Sequence, residues 1–276
     1  MKKAAIIGYP ACHSLSPVIH GYWLKKHQIA GEYGILETLP EALEQTFLSL
    51  AERGYSGINV TVPFKERVFS YLNNIDEMAT QIGAVNTVTF DAQGKSYGTN
   101  TDAYGFIQGI KAAVKNVSFQ EKTVIVFGAG GAARAVLYGL LEAGVGKVIL
   151  QNRTPQKARI LQDIFGNKID IVSEWKDTML QEADFLVNTT TLGMQGQGAL
   201  EIDLNYLPKK AIVVDIVYKP LCTNLLEGAQ QNGNTTVDGL WMLLYQAVRG
   251  FELFFGTQPE VTQELREHVL QHIKGV

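Results

Sequence analysis

The sequence predicts an α/β protein of two domains, each built around a mostly parallel sheet. Strand-like and helix-like segments alternate along almost the whole chain, which is typical of parallel sheets covered by helices. A second strand–helix series begins at Thr123 with an apolar strand, a glycine-rich turn and a helix. The length of 276 residues allows one or two domains. These observations favour an α/β fold with a nucleotide-binding second half.

Composition excludes several classes of protein. With 46% hydrophobic and 18% charged residues, the chain can bury a sizeable core. Its net charge of −3 gives no broad basic surface for nucleic acid. It has no apolar run of about 18 residues for a membrane span, and the apolar stretch near Met1 is too short for a signal peptide. Cys12 and Cys222 form no disulfide or zinc pattern. We therefore expect a cytoplasmic protein without nucleic-acid or membrane partners.

The first half alternates between short strands and helices. Ser16 is predicted to cap a helix with Pro17 at its first position, and Gln93-Gly94 is predicted to turn a hairpin. The predicted strands are 3–9, 32–38, 55–62, 85–91 and 95–99, and the predicted helices start at Ser16 or span 41–53, 65–72, 76–82 and 102–115.

The second half continues the alternation. Its predicted strands are 123–127, 147–151, 169–172, 185–188, 212–215 and 235–237, with helices at 131–142 and 155–165. The C-terminal stretch is predicted to be wholly helical. We expect the domain joint near residues 102–122, where a helix can act as a hinge.

A lysine follows a buried strand in the first half. Ile58, Val60 and Val62 alternate with polar Asn59 and Thr61, and Pro63 ends the strand just before Lys65. Ligands bind beyond the carboxyl ends of strands in open α/β sheets. The side chain of Lys65 is thus either a surface group after a turn or a proton donor at a site.

The turn after Thr123–Phe127 carries a dinucleotide-binding pattern. Gly128, Gly130 and Ala133 give a G-x-G-x-x-A turn between a strand and a helix. The first glycine permits a tight turn, the second lets a pyrophosphate approach the backbone, and the alanine allows close packing. The helix N-terminus adds unpaired N–H groups and the positive end of a dipole. The sequence therefore predicts a dinucleotide cofactor.

The next strand indicates which dinucleotide. An NAD site places an acid about 20 residues further on, to bind the ribose 2′-OH. Here the strand ends in Gln151-Asn152-Arg153-Thr154-Pro155, which contains an arginine and no acid. The guanidinium of Arg153 suits a phosphate dianion, and Thr154 and Pro155 can begin a second helix that faces it. NADP is predicted, with a surface arginine as the alternative.

Polar residues follow or precede other strands of the first half. Ser14 and Ser16 lie in the loop after the first strand, where they either cap a helix or bind a small anionic or hydroxylated ligand. Asn86 lies at a strand start. Asp102 begins a helix, either as a cap or as the partner of Lys65 in proton transfer.

Two histidines have the spacing of metal ligands. His268 and His272 are four residues apart in a predicted helix, without a HExxH motif or an obvious third ligand. The sequence predicts no metal site.

Taken in order, these segments and several others resemble the shikimate/quinate dehydrogenase family, specifically shikimate dehydrogenase, across nearly the whole chain. The matching segments are Gly8-x-Pro10 with His13-Ser14-x-Ser16-Pro17, Asn59–Lys65, Gly83–Thr87, Asn100-Thr101-Asp102-x-x-Gly105, Gly128–Ala132, Asn152-Arg153-Thr154, Asn188–Thr191 with Gly193-Met194, Asp215–Tyr218, and Asp238-Gly239-x-x-Met242-Leu243-x-x-Gln246. Trp241, where the family often has glycine, and Thr189, where it often has alanine, depart from the pattern.

The resemblance implies a set of site residues. It implies that Lys65 and Asp102 are catalytic. Substrate contacts are implied for Ser14, Ser16, Thr61, Lys65, Asn86, Asp102, Tyr218 and Gln246. Cofactor contacts are implied for Gly128, Ala129, Gly130, Gly131, Ala132, Asn152, Arg153, Thr154, Pro155, Gln156, Lys157, Ile216, Gly239 and Glu77. It also implies that the C-terminal helices return to the first domain, so that residues 1–103 and about 240–276 bind substrate and residues 104–239 bind NADP.

The implied reaction is the reversible, NADP-dependent reduction of 3-dehydroshikimate to shikimate, a step toward aromatic amino acids. Lys65 as an ammonium would stabilise the developing negative charge and donate the proton, with Asp102 positioning it. The rival interpretations are a quinate/shikimate dehydrogenase using NAD, a catalytically silent ligand-binding relative, and an unrelated Rossmann reductase such as methylene-tetrahydrofolate dehydrogenase. We expect a monomer or homodimer.

Overall fold

The computed structural model describes residues 1–274, which form two compact units. The first contains residues 1–101 and the described C-terminal residues from Leu244 onward, and the second spans Asp102–Leu243. The first unit is therefore discontinuous in sequence. The predicted return of the C-terminal helices to the first domain is confirmed.

The first unit holds a mixed six-stranded sheet. The strands are β1 (Lys2–Gly8), β2 (Gly31–Glu37), β3 (Tyr55–Val60), β4 (Asn74–Ile75), β5 (Thr87–Phe90) and β6 (Ser96–Thr99). Their order across the sheet is β2-β1-β3-β5-β6-β4. The pairs β1–β2, β1–β3 and β4–β6 are parallel, whereas β5 runs antiparallel to both β3 and β6. The hairpin strand β5 thus takes part in both antiparallel pairs.

Helices of different lengths accompany this sheet. They are α1 (Ser16–Lys26), α2 (Leu43–Leu48), α3 (Glu77–Ile82), the part of α8 (Gly239–Phe255) after Leu243, and α9 (Gln263–Lys274). Short 3-10 helices cover Pro40–Ala42 and Arg67–Tyr71. The end of α8 packs tightly on the sheet: a Cβ added at Gly57 of β3 would lie 2.4 Å from the Phe254 ring. Only glycine fits at that position.

The second unit holds a fully parallel six-stranded sheet. Its strands are β7 (Thr123–Phe127), β8 (Lys147–Gln151), β9 (Ile169–Val172), β10 (Phe185–Asn188), β11 (Ile212–Asp215) and β12 (Thr235–Val237). The order β9-β8-β7-β10-β11-β12 places β7 and β10 at the centre, with the topological switch between them. This is the doubly wound order of dinucleotide-binding domains.

Helices cover the second sheet and complete its core. They are α4 (Asp102–Ala113), α5 (Gly131–Glu142), α6 (Pro155–Phe165) and α7 (Asn224–Gln231), with 3-10 helices at Asp177–Glu182 and Leu204–Tyr206. Strand residues such as Val124, Val126 and Val148 are fully buried in a core cluster that includes residues of α4 and α5. Their near-continuous apolar runs are typical of strands covered on both faces.

The α/β prediction is confirmed, and several local predictions are wrong. Leu15, not Ser16, is the N-cap of α1, which starts at Ser16. β3 ends at Val60 rather than Val62, because Thr61 to Phe64 turn back through a hydrogen bond from Phe64 N to Thr61 O. The predicted helix at 65–72 is a 3-10 helix over Arg67–Tyr71. The C-terminal region is two helices separated by a loop, and α7 and the two-residue β4 were not predicted.

Two further features concern membrane spanning and metal binding. No helix within residues 1–274 is both long and apolar enough to cross a membrane. His268 and His272 lie on α9 with their ring centroids 4.9 Å apart, and the described residues include no group of three or more histidine, cysteine or acidic side chains placed to hold a metal ion.

Candidate active site

One edge of the first sheet gathers most of the polar residues singled out in the first half of the sequence. The parallel strands β1 and β3 both end there. The antiparallel β5 starts there, since Thr87 pairs with Asn59 of β3, and β6 ends there, since Thr99 pairs with Thr87. The register therefore collects four separate loop segments at a single edge.

The loop after β1 supplies two serines. Ser14 Oγ accepts a hydrogen bond from the Ser16 backbone N–H at 3.2 Å, and Ser14 N in turn donates to Ala11 O. Ser16 is buried at the first turn of α1, which has no acidic residue in that turn. Ser14 is half-buried. The two hydroxyls thus sit beside the positive end of an 11-residue helix, a setting that favours an anion.

The turn after β3 carries Thr61 and Lys65. Thr61 N donates to Ile7 O of β1 at 2.9 Å, and Val85 N donates to Lys65 O at 2.8 Å, so both ends of the turn are held by neighbouring segments. A Cβ at Gly8 would lie 2.3 Å from Thr61 Cγ2, so the β1 loop packs directly on this turn. The side chains of Thr61 and Lys65 are half-buried.

The amide of Asn86 is the centre of a buried polar network. Its Oδ1 accepts hydrogen bonds from the Thr101 backbone N–H at 2.8 Å and from Thr87 Oγ1 at 2.9 Å. Its Nδ2 donates to Thr101 Oγ1 at 3.0 Å, and Thr101 Oγ1 donates to Gln246 Oε1 at 3.4 Å. Asn59 Nδ2 of β3 donates to Thr87 Oγ1 at 3.0 Å. The structure thus brings Asn86 and Gln246 together through Thr101.

Three members of this network were not singled out as site residues from the sequence. Asn59, Thr87 and Thr101 are at most 5% exposed, although their side chains are polar. A polar residue inside an apolar strand was the available signal for Asn59. The signal for Thr87 and Thr101 was weaker, because their partners depend on the strand register.

The turn after β7 has the geometry of a dinucleotide loop. Gly128 has a φ of +111°, and a Cβ there would lie 2.5 Å from Thr189 Oγ1, so the fold itself requires glycine. A Cβ added at Gly130 or Gly131, by contrast, would meet no atom within 4 Å outside the adjoining backbone. Ala129 is buried, and Ala132 is half-buried on the first turn of α5. Nothing within this unit explains the second and third glycines, whereas close approach of a ligand to the backbone does.

The end of β8 presents a positive group at a helix start. Arg153 and Thr154 are exposed, Thr154 is the N-cap of α6 without a side-chain capping bond, and Pro155 follows at its first turn. Asn152 Nδ2 donates to Thr154 O at 2.8 Å and fixes this turn. Gln156 and Lys157 are also exposed, and the first turn of α6 contains no acid. The residues present suit the 2′-phosphate of NADP.

The turn after β11 is held by a buried carboxylate. Asp215 is fully buried and accepts hydrogen bonds from Asn188 Nδ2, the Val217 backbone N–H and Thr223 Oγ1 at 3.0, 3.0 and 2.7 Å. Burial raises the pKa of Asp215, and these three hydrogen bonds oppose the rise. The bond to Val217 fixes the chain between Ile216 and Tyr218.

The structure brings Ile216 and Gly239 together. A Cβ at Gly239 would lie 2.1 Å from Ile216 O, so the start of α8 rests on the backbone of this turn. Tyr218 is half-buried, and burial raises the pKa of its hydroxyl. Trp241 packs its backbone on Gly109 of α4, where an added Cβ would lie 2.9 Å away. The hydroxyl of Thr189, the other departure from the family pattern, donates to Phe127 O at 2.7 Å.

Two predicted site residues belong to a different unit from the other residues predicted to share their ligand. Asp102 is buried at the first position of α4 and belongs to the second unit, although it directly follows Thr101 of the Asn86 network. Glu77 lies exposed on α3 of the first unit, where its carboxylate accepts a hydrogen bond from Gln81, while the other predicted cofactor residues lie in the second unit.

These features define the class of protein. A parallel sheet in doubly wound order, with a G-x-G turn and no acid at the end of its second strand, is the structure of an NADP-binding domain. A second sheet that collects hydroxyls, amides and an ammonium group at one edge is suited to a small polyhydroxylated substrate. The combination is that of a two-domain, nicotinamide-dependent oxidoreductase.

Comparisons with known proteins identify the family. Residues 6–88 match the shikimate dehydrogenase substrate-binding domain, residues 111–220 the shikimate/quinate 5-dehydrogenase domain, and residues 239–270 the shikimate 5′-dehydrogenase C-terminal domain. The chain is 46% identical over 269 residues to the NADP-dependent shikimate dehydrogenase of Dinoroseobacter shibae, covering 97% of this chain and 96% of that protein. It belongs to the shikimate dehydrogenase family.

Solved structures agree with this assignment. Shikimate dehydrogenase from Thermus thermophilus, solved with NADP(H) and shikimate, is 35% identical, with a TM-score of 0.89 over 99% of this chain and 100% of that chain. Quinate dehydrogenase from Corynebacterium glutamicum, solved with NAD, is 31% identical with the same TM-score of 0.89 over 98% and 99% of the two chains. Because the fold is shared by both, the choice of substrate and cofactor depends on particular side chains.

Proposed function

We propose that this protein is an NADP-dependent shikimate dehydrogenase, which reversibly reduces 3-dehydroshikimate to shikimate and so serves the synthesis of aromatic amino-acid precursors. The observation that carries the proposal is the collection of Ser14, Ser16, Thr61, Lys65 and Asn86 at one edge of the first sheet, in a chain of this family. The relative from Thermus thermophilus holds shikimate and NADP(H).

The proposed substrate contacts match the chemistry of shikimate, a ring carboxylate with three hydroxyls. Ser14 and Ser16, beside the N-terminus of α1, suit the carboxylate, because hydroxyl donors and the helix dipole both favour a negative charge. Asn86, Thr61 and Gln246 offer groups that both donate and accept hydrogen bonds, which suits ring hydroxyls. Tyr218, from the second unit, is assigned by family resemblance.

In the proposed mechanism, Lys65 handles the proton. NADPH, which the glycine turn after β7 and Arg153 would hold, would supply a hydride to the carbonyl carbon of the substrate. The Lys65 ammonium stabilises the negative charge that develops on the carbonyl oxygen and donates a proton to it, so that the hydroxyl forms as the amine becomes neutral. In the reverse direction the neutral amine removes that proton. Asp102, by family resemblance, binds a substrate hydroxyl and orients Lys65.

Cofactor choice is proposed to rest on Arg153. Its guanidinium lies exposed at the start of α6, and no acidic partner for it occurs in the described part of the chain. An acid at this strand end would favour the 2′-hydroxyl of NAD, whereas a guanidinium binds the 2′-phosphate of NADP. Gly130 and Gly131, where an added Cβ would meet no other atom within 4 Å, leave room for the pyrophosphate beside the N-terminus of α5. Glu77 is also proposed near the cofactor by family resemblance.

Location and assembly complete the proposal. A cytoplasmic location is supported by Cys12 and Cys222, which are both exposed and free of a disulfide. The protein is proposed to act as a monomer or homodimer. Light scattering on the purified protein would distinguish the two.

A spectrophotometric assay with two acids and two cofactors tests the function. We expect the highest kcat/KM for shikimate with NADP, and at least about tenfold lower values when quinate replaces shikimate or NAD replaces NADP. A preference for quinate with NAD would favour the other branch of the family. No change at the nicotinamide absorbance band with any pair, together with calorimetric binding of shikimate, would indicate a catalytically silent relative.

A further inference from the structure

A tyrosine on β2 joins the first helix to the polar network of the sheet edge. Tyr33 Oη donates a hydrogen bond to Asn59 Oδ1 at 2.6 Å. Burial raises the pKa of the Tyr33 hydroxyl, and the Ser16 side chain partly opposes that rise. Tyr33 is therefore linked by its hydrogen bond to Asn59 and lies near Ser16, a proposed substrate residue.

Asn59 passes the connection to the centre of the site. Its Nδ2 donates to Asn86 O at 3.3 Å and to Thr87 Oγ1 at 3.0 Å, and Thr87 Oγ1 donates to Asn86 Oδ1 at 2.9 Å. A Cβ at Gly250 of α8 would lie 3.3 Å from Asn59 Nδ2, so the amide has little room to move. A continuous path of hydrogen bonds thus runs from Tyr33 through Asn59 to Asn86.

The ring of Tyr33 is held by a histidine. His20 of α1 stacks on Tyr33 with ring centroids 4.0 Å apart and an interplanar angle of 6°. His20 is fully buried, and neither of its ring nitrogens has a hydrogen-bond partner within the described residues. Burying an imidazole without partners is costly. Stacking of its flat face on Tyr33 offsets part of that cost.

His20 is surrounded by uncharged rings. Besides Tyr33, the rings within 6.5 Å of its centroid are those of Trp23, Phe251, Phe254 and Phe255. Burial lowers the pKa of His20 to about 3. The imidazole is therefore an uncharged ring at neutral pH, which suits a packing role.

We propose that Tyr33 is a positioning residue for substrate binding, held by the stacked ring of His20, and that it sets the side chain of Asn59 and, through Asn59, that of Asn86. This inference rests on the proposed function, because it assigns Asn86 to the substrate. Tyr33 itself acts only through these neighbours.

Tyr33→Phe is the direct test, because it removes the hydroxyl and keeps the ring stacked on His20. Losing one hydrogen bond within the network should raise the KM and the calorimetric Kd for shikimate about five- to tenfold. The kcat and the KM for NADP should stay within about twofold, since binding is lost equally in the ground and transition states. Tyr22→Phe is the matched control: its buried hydroxyl has no partner in the described part of the chain, so shikimate binding should not change.

Two variants of His20 separate stacking from hydrogen bonding. His20→Phe retains a flat ring and should keep the wild-type KM for shikimate, whereas His20→Ala should raise it as Tyr33→Phe does. If His20→Ala fails to fold, the comparison of Tyr33→Phe with Tyr22→Phe still decides the question.

The outcomes against the inference are distinct from those against the function. A KM for shikimate within about twofold of wild type in Tyr33→Phe would overturn the positioning role. So would an equal loss in kcat and in both KM values with a lower melting temperature, because that pattern indicates a general structural role. A wild-type enzyme inactive with shikimate and NADP would instead refute the proposed function.

Discussion

Lowering the pH should destabilise the first unit through His20. Burial lowers the pKa of this ring from 6.5 to about 3, so the folded protein excludes a proton that the unfolded chain binds once the pH falls below about 6.5. The stability that the neutral ring contributes is complete above about pH 6.5 and is lost as the pH falls toward about 3. A pH of about 5 lies roughly 1.5 units below the pKa of His20 in the unfolded chain. At about 1.36 kcal/mol per unit, the free energy of unfolding should be about 2 kcal/mol lower there.

Urea unfolding can isolate this effect. Trp23, whose ring centroid lies 6.0 Å from that of His20, is the tryptophan of the first unit, so the variant Trp175→Phe/Trp241→Phe leaves it as the fluorescent reporter. The free energy of unfolding is measured at about pH 7.5, 6 and 5, with and without His20→Phe. The loss between about pH 7.5 and pH 5 should be about 2 kcal/mol smaller with phenylalanine.

A comparison with another histidine sharpens the result. His13 is exposed, so His13→Gln should follow the pH dependence of its parent. If His20→Phe and its parent lost the same free energy over this pH range, the buried ring would have to accept a proton in the folded state. The linkage argument would then be refuted.

Two catalytic predictions follow from the proposed site. Lys65→Ala should lower kcat by about 10²–10⁴ with the KM for NADPH within about threefold, while Lys25→Ala, at an exposed position of α1, should match wild type; a Lys65→Ala variant that kept the wild-type kcat would contradict the role. Arg153→Ala should raise the KM for NADPH about tenfold to a hundredfold and leave that for NADH nearly unchanged, whereas Arg159→Ala on the same helix should leave their ratio unaltered.

The second unit was the easier part to predict from the sequence. Its strands, such as Thr123–Phe127 and Phe185–Asn188, match the predicted bounds because apolar runs are interrupted sharply by glycine, asparagine or charged residues. The short α7 was missed, since its eight residues are near the lower limit of helix length and give only two turns of pattern. The predicted wholly helical C-terminus ignored the loop at residues 256–262, where Gly256 has a φ of +81°.

Side-chain partners in the first unit could not be predicted in the same way. Lys65 and the two serines were found from their positions after strands, which local pattern reveals. Tyr33 and His20 were overlooked, because their stacking depends on how α1 packs on β2 rather than on any local spacing. The threonines of the Asn86 network depend likewise on a register fixed by the β5–β6 hairpin.

Phe254 fills the space that Gly57 leaves at the centre of the first sheet. Gly57 and Phe254 are separated in sequence by a long stretch of chain, which includes the entire second unit. During synthesis, the opening segment of the first unit therefore lacks part of its own interior until the ribosome has passed Phe254. The nucleotide-binding unit begins later in the sequence than the first unit. It is nevertheless the first of the two to be synthesised completely.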